Sequence, residues 1–95
     1  MADETRLKRL RFRAWRRGFR EADLILGPFA DTHGPKLSDA QLEMLERLLE
    51  QPDPDLYAWI VGARPAPAEF ETEVLLLIRS FHLSARTARE GDLGA

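Results

Sequence analysis

The chain has 95 residues, a formal net charge of -2 and no cysteine. This length supports one domain with a single modest core and no large internal substrate cavity, and the missing cysteine excludes disulfides and thiol chemistry. No apolar run approaches the about 18–20 residues that a membrane-spanning helix needs. The arginine-rich residues 6–20 follow no hydrophobic signal core, so we expect them to belong to the mature fold.

The charge is unevenly distributed along the chain. Residues 6–20 carry eight Lys and Arg residues and no acid, whereas residues 31–73 carry ten acids and three basic residues. One end of the molecule is therefore expected to be strongly basic. Taken alone, this end has three interpretations: a solvated helix face, an element that contacts nucleic-acid phosphates, or a docking surface for an acidic partner.

The first two predicted helices flank Gly18. Apolar spacing predicts a helix over residues 5–17, which Gly18 ends or bends, and a second helix over residues 19–30. Pro28 is expected to kink or break the second helix, because proline lacks a donor and crowds the preceding turn. Residues 32–35 are typical of a loop. The inward positions are Leu7, Leu10, Ala14, Ala22, Ile25, Leu26 and Phe29.

The third and fourth predicted helices carry clear boundary residues. Ser38 with Gln41 three residues later is a capping-box pattern at the start of the third helix. Asp53 is expected to cap the fourth helix, with Pro54 at the first helical position. Gly62 is expected to end this helix.

A fifth helix is predicted from Pro67 or Ala68 to about Leu83, and it is the most apolar of the set. Residues 84–95 lack a periodic apolar face and are predicted to form a flexible tail. The pattern therefore predicts an all-α fold, a single small bundle of five short helices within residues 1–83. The buried stripe of the fifth helix is predicted to contain Phe70, Val74, Leu77, Ile78 and Phe81.

No catalytic group of residues is recognisable. His33 and His82 are isolated, and two histidines are too few for a metal site. Ser38 is better explained as a helix cap than as a nucleophile, and no glycine-rich phosphate loop is present. We therefore predict no catalytic, cofactor-binding or metal site. The acids near helix starts fit the helix dipole, except Asp55, which the capping by Asp53 leaves available for a partner.

One glycine lies between arginines in the stretch Arg16–Glu21. Inside a helix, glycine costs about 1 kcal/mol relative to alanine. We therefore expect compensation at Gly18, either from tight packing or from close approach of a partner's backbone. Arg17 and Glu21 are four residues apart, and if the helix continues they share a face, where they can pair with each other or with a partner.

Several motifs occur in a consistent order around this stretch. Residues 17–21 have the pattern RGxxE, residues 21–29 have E-x-D-L-x-L-x-x-F, and residues 53–59 have DPDLxxW. Together with the basic and aromatic residues 9–16, they resemble the small flavinylation factors of succinate dehydrogenase, a family also called succinate dehydrogenase assembly factor 2. The resemblance covers about residues 6–82.

The resemblance implies a five-helix assembly chaperone without catalytic activity. Such a protein binds the flavoprotein subunit of succinate dehydrogenase, and in some bacteria that of fumarate reductase, and promotes covalent attachment of FAD to a histidine of that subunit. It implies no stably bound cofactor in this chain. The implied partner contacts are Arg17, Gly18 and Glu21, flanked by Arg13, Arg16, Phe19 and Arg20 and supported by Asp53, Asp55 and Trp59.

The resemblance also sets the remaining expectations. We expect a monomer that is not embedded in a membrane and binds no nucleic acid, in the bacterial cytoplasm or, in a eukaryote, in the mitochondrial matrix. The alternative is a small basic helical regulator that associates with nucleic acid through the basic helix. A third interpretation is an adaptor for some other acidic partner.

Overall fold

Residues 4–94 form five α-helices, as the sequence predicts. The computed structural model describes the backbone of residues 4–94 and the side chains of residues 4–85, and this backbone contains no β-strand. The all-α class and the five-helix bundle are therefore confirmed. The helices are α1 (Glu4–Trp15), α2 (Arg20–His33), α3 (Asp39–Leu49), α4 (Asp53–Val61) and α5 (Glu73–Gly94), with short 3-10 helices at Gly34–Lys36 and Ala68–Phe70.

The α1–α2 hairpin differs from the prediction at three boundaries. Helix α1 ends at Trp15, two residues early, and α2 begins at Arg20. The predicted break at Pro28 is wrong, because α2 continues through it to His33. Buried apolar residues on both sides of the proline pack into the core, and this tertiary packing sustains the helix. The predicted loop at residues 32–35 is also wrong: its first half is helical and its second half begins a 3-10 helix.

Trp15 fixes the last turn of α1 against α2. Its indole lies over Gly27, where an added Cβ would come within 2.3 Å of the ring. The indole Nε1 donates a hydrogen bond to Asp31 Oδ2 at 3.1 Å. The glycine therefore permits a close approach of an aromatic ring to a helix backbone, which sets where the α1–α2 connection lies.

The capping box of α3 is confirmed. Ser38 Oγ accepts from the Gln41 N–H at 3.2 Å, and Gln41 Oε1 accepts from the Ser38 N–H at 2.9 Å. The predicted inner stripe of this helix is fully buried. It consists of Leu42, Leu45, Leu48 and Leu49.

The end of α4 matches the prediction, but its start does not. Gly62 follows the helix in the left-handed region at φ +83°, and its N–H donates to the Ala58 carbonyl. At the other end Pro52 is the N-cap and Asp53 is the first helical residue. The predicted capping role of Asp53 is therefore wrong. Its carboxylate instead accepts a hydrogen bond from Arg17.

Helix α5 begins later than predicted. Ala68–Phe70 forms a 3-10 helix, and α5 starts at Glu73, where Thr72 Oγ1 accepts from the Leu75 N–H at 3.3 Å. This hydroxyl satisfies a free backbone donor of the first turn, which is why the helix begins there. The backbone continues as helix to Gly94, so the predicted end near Leu83 is wrong. That residues 84–95 are flexible stays a prediction.

The core lies where α5 packs against α2, α3 and α4, while α1 packs mainly on α2. Within the predicted stripe of α5, Leu77 is exposed rather than buried, and Leu75 takes its place. No helix in the described part of the chain is long and apolar enough to cross a bilayer. The largest fully buried side chains are Leu26, Phe29, Leu42, Leu45, Leu48, Leu56, Val74, Leu75 and Ile78.

Candidate partner-docking site

The turn between α1 and α2 places Gly18 on the surface. Its φ is +81°, in the left-handed region that side chains with a Cβ rarely adopt, and a Cβ built there would meet nothing within 4 Å. The backbone conformation requires this glycine, and packing within the chain does not. The expectation of tight packing inside the molecule is therefore wrong, whereas close approach by a partner stays a prediction.

Arg17 points back into the molecule. Its side chain is 7% exposed, and its Nε donates to the carboxylate of Asp53. Its two terminal nitrogens donate to the carbonyls of Leu49 and Gln51, at 2.6 and 2.7 Å. These carbonyls lie at the C-terminal end of α3, where a cation is favoured. The guanidinium thereby ties the α1–α2 turn to the α3–α4 connection.

Asp23 holds the same turn from the other side. Its Oδ1 accepts from the backbone N–H of Arg17 at 3.1 Å. A carboxylate in the first turn of α2 therefore fixes the backbone just before Gly18. The sequence reasoning missed this residue, although an acid in the first turn of a helix that follows a glycine turn was a usable signal.

Arg17 and Glu21 do not pair with each other. Because α1 ends at Trp15 and Gly18 reverses the chain, the four-residue spacing is not a helical spacing here. Glu21 lies exposed in the first turn of α2. Its carboxylate has no hydrogen bond or ion pair with any group in the described residues. Its charge is thus open to solvent beside the exposed glycine.

A cationic cleft of about 330 Å³ opens on the α1 side of Gly18. The Arg16 guanidinium carbon lies 5.1 Å from the centroid of the exposed Phe12 ring, a cation–π contact. Arg13, Arg16 and Arg20 form no ion pair among the side chains that the structure describes. Arg13 and Arg16 therefore give the cleft a net positive charge, although Arg13 also interacts electrostatically with Glu46. Its lining residues are Phe12, Arg13, Arg16, Arg17, Gln51, Pro52 and Asp53.

The remaining predicted site residues have structural contacts. Phe19 is partly buried and packs edge-on against Tyr57, with ring centroids 5.4 Å apart. Asp55 accepts from Arg64 at 2.6 Å on the surface, so the carboxylate predicted to await a partner has an internal one. Trp59 is 6% exposed and stacks on the buried Phe70. A partner contact by its ring stays a prediction, while its packing supports α4 from within.

The described residues of this site form a binding surface. Residues 4–85 bring no three His, Cys, Asp or Glu side chains together in a way that could hold a metal ion. What surrounds Gly18 is a cationic cleft on one flank, an unpaired carboxylate on the other, and an exposed backbone between them. Such an arrangement can bind a surface of complementary charge.

The chain is similar to one described protein family. A family model described as "Flavinator of succinate dehydrogenase" matches residues 8–82. A Dictyostelium discoideum protein named "Succinate dehydrogenase assembly factor 2, mitochondrial" is 46% identical over 72 residues, which are 76% of this chain and 51% of that protein. The "FAD assembly factor SdhE" of Acetobacter pasteurianus is 39% identical over 70 residues, 74% of this chain and 64% of that protein.

A third relative aligns over more of the chain. The Drosophila sechellia protein named "Succinate dehydrogenase assembly factor 2-A, mitochondrial" is 33% identical over 97 residues, 97% of this chain and 60% of that protein. Across these three relatives the chain spans 51–64% of their length.

Proposed function

The chain belongs to the family of flavinators of succinate dehydrogenase, and we propose that it is a non-catalytic assembly factor for the flavoprotein subunit of that enzyme. In this proposal it binds the subunit and promotes covalent attachment of FAD to it. The match of the family model over residues 8–82 supports the role, as do the names of the bacterial and mitochondrial relatives.

The observation that carries the proposal is the exposed turn at Gly18. The glycine leaves open space above the backbone, and Glu21 beside it has a carboxylate without a partner in the described residues. Arg17 and Asp23 hold the turn from behind with four hydrogen bonds. A rigid, presented backbone loses little conformational freedom when it binds, which favours a docking role.

Arg17 is a positioning residue in this proposal rather than a contact. Three of its five N–H donors are used inside the molecule and its side chain is 7% exposed, so an acidic surface of the partner would meet Arg13, Arg16 and Arg20 instead. These unpaired cations steer the approach of an acidic surface and orient it on the cleft. Gly18 and Glu21 then contact the partner at the edge of this cleft.

In this proposal the chain supplies no reacting group for flavin attachment. The bond forms between FAD and a histidine of the flavoprotein subunit, so the assembly factor acts on the conformation of that subunit. A protein that binds one conformation more tightly raises its population. In this proposal the favoured conformation would hold the histidine of the subunit against the flavin ring.

Several properties belong to the same proposal. The chain holds no flavin of its own, and FAD is carried by the partner. The flavoprotein subunit of fumarate reductase is a second client in bacteria that have one. The protein acts as a monomer, in the bacterial cytoplasm or in the mitochondrial matrix of a eukaryote, in keeping with the bacterial and mitochondrial names of its relatives.

Flavin fluorescence of the flavoprotein subunit tests this function. After denaturing electrophoresis, covalent flavin remains on the subunit and its fluorescence can be read in the gel. We expect the fluorescence to fall at least about tenfold when the gene for this protein is deleted. It should return when the wild-type gene is restored, but not when the restored gene carries Gly18→Arg. Unchanged covalent flavin in the deletion strain would overturn the proposal.

The unpaired arginines at positions 13, 16 and 20 favour one second candidate, a nucleic-acid-associated regulator. Phosphate contacts by these side chains would give binding to random duplex DNA that weakens steeply with salt. A mobility shift between about 50 and 200 mM salt distinguishes the two candidates. Binding of that kind, with covalent flavin unaffected, would favour the second.

A further inference from the structure

A groove runs along the side of the molecule that α2, α4 and α5 form. It consists of two clefts, of about 190 and 540 Å³, that share Tyr57 and His82 as lining residues. The smaller cleft begins at Glu21 and Leu24 on α2. The larger one continues between α4 and α5 to Val61 and Leu83. We call this continuous surface the α2/α4/α5 groove.

The rim of this groove exposes large apolar side chains. Leu24, Val61 and Leu83 are 57%, 40% and 62% exposed, one from each of the three helices. Isolated surface leucines are normal, but a set that lines one groove marks an interaction surface. The groove is separate from the cationic cleft, which lies on the α1 side of Gly18.

The charges at the groove indicate the polarity of its occupant. Glu21, at the Gly18 end, offers a carboxylate that nothing among the described residues neutralises. Arg79 lines the other cleft, but its guanidinium is held by the Glu71 carboxylate and the Trp59 carbonyl. Among the described lining residues, the open charge is therefore the carboxylate of Glu21, and a basic group of a partner complements it.

The architecture also restricts the shape of the occupant. No strand edge exists within residues 4–94, so a peptide cannot bind there by extending a sheet. A groove between helices with spaced apolar positions receives the apolar face of an amphipathic helix. The groove also continues from the turn that the proposed function places against the flavoprotein subunit.

We propose that the α2/α4/α5 groove receives an amphipathic helix of the flavoprotein subunit, with a Lys or Arg of that helix facing Glu21. This inference rests on the proposed function and adds a second contact surface to it. The Gly18 turn then lies between two unlike halves of one interface: a cationic half that takes acidic groups and an apolar half that takes a helix.

Three leucine variants test the groove. Leu24→Glu and Leu83→Glu place a charge on its rim, whereas Leu76→Glu is a matched control, because Leu76 is 55% exposed on α5 and lines neither cleft. The probe is the purified flavoprotein subunit without covalent FAD, and the readout is its Kd by biolayer interferometry. We expect each rim variant to weaken binding at least about tenfold and the control to change it less than about twofold.

Circular dichroism and thermal unfolding of each variant establish that it is folded. All three positions are exposed, so the substitutions are expected to leave the fold intact. A charge series at one position provides an independent measurement. Glu21→Lys is expected to weaken binding more than Glu21→Gln, since lysine repels the basic group that the groove is proposed to meet.

The outcomes separate this inference from the function on which it rests. If both rim variants bind like the wild type while Gly18→Arg does not, the groove proposal is overturned and the proposed function stands. An equal loss in Leu76→Glu also overturns it. If sedimentation shows a wild-type dimer that the rim variants dissociate, with subunit binding unchanged, the occupant is a second copy and the proposal is wrong. If the wild type does not bind the subunit, both fail.

Discussion

The two ends of the stretch Arg17–Glu21 differ in what they contact. The Arg17 side chain is 7% exposed and donates to Asp53 and two backbone carbonyls. Gly18 and Glu21 are exposed, and the Glu21 carboxylate has no partner in the described residues. A short sequence motif can therefore combine two tasks. We call Arg17 the inner half, which builds the turn, and Gly18 with Glu21 the outer half, which is presented to a partner.

The contrast predicts opposite effects on stability and function. Removing a buried charge that satisfies several groups leaves those groups unpaired, which costs free energy of folding. Removing an exposed carboxylate without a partner costs almost none. Variants of the inner half should thus act through the fold, and variants of the outer half through the partner.

The largest effect is expected for Arg17→Ala. It leaves the Asp53 carboxylate and the carbonyls of Leu49 and Gln51 without their donor, and we expect the free energy of unfolding to fall by about 3 kcal/mol. Urea denaturation followed by circular dichroism measures this. Arg17→Lys should recover only part of the loss, because an ammonium cannot reach three acceptors as a planar guanidinium does. A loss below about 1 kcal/mol for Arg17→Ala would contradict the role of the inner half.

Gly27→Ala tests how α1 is fixed below the turn. The new methyl group would collide with the Trp15 indole, so we expect a loss of about 1–3 kcal/mol and a changed near-ultraviolet spectrum of the tryptophan. Gly34→Ala is the matched control, because its Cβ would lie 3.6 Å from the nearest atom, a side-chain carbon of Leu7, in ordinary contact. Equal stability of the two variants would show that the indole does not lie against Gly27.

Gly18→Ala and Gly62→Ala compare two glycines in the same conformation. Their φ angles are +81° and +83°, and neither Cβ would meet another atom within 4 Å. Each variant should lose about 1 kcal/mol of stability through the left-handed backbone. We expect Gly18→Ala to weaken binding of the flavoprotein subunit, while Gly62→Ala is a control for stability alone, because Gly62 lines the α2/α4/α5 groove. If Gly18→Ala binds the subunit like the wild type, the presented turn has no special role.

A smaller effect is expected where α1 meets α3 at the surface. The Arg6 guanidinium binds Glu46 at 2.7 Å and holds the pKa of that carboxyl below its ordinary value of 4.5. A lowered folded-state pKa gives stability that is present above the unfolded value and is lost as the pH falls through the folded one. Glu46→Gln should therefore lower the free energy of unfolding by about 0.5 kcal/mol at pH 7. It should also make the free energy of unfolding fall less steeply as the pH drops below about 4.5. Urea denaturation at a series of pH values measures this, and the same decline below about pH 4.5 in the variant and the wild type would contradict it.

Local signals in the sequence predicted much of the fold. Ser38 with Gln41 and the terminal Gly62 are short-range patterns, and both were confirmed. The predicted start of α5 was too early, because the prolines at positions 65 and 67 are typical of a helix start. The structure places the start after Thr72, whose hydroxyl caps the helix. Pro28 was expected to kink or break α2, and the break is absent because the buried side chains around the proline keep the helix continuous.

The contacts of the candidate site were harder to predict. The basic turn, its glycine and the motif were visible in the sequence, but the exposure of Gly18 was not, and the partners of Arg17 lie 32–36 residues away. Two of these partners are backbone carbonyls, which every residue has. The residue types at positions 49 and 51 therefore do not predict the contact. The assignment of Asp53 as a helix cap had the same cause, because its true partner is distant in sequence.

The most direct test of the inner and outer halves of the motif is the amount of covalent flavin on the flavoprotein subunit in cells that carry Glu21→Gln. The substitution keeps the shape of the side chain and should change the free energy of unfolding by less than about 0.5 kcal/mol. With the chain present at its wild-type level, we expect covalent flavin to fall at least about fivefold. Wild-type flavin attachment in this variant would contradict a docking role for the outer half.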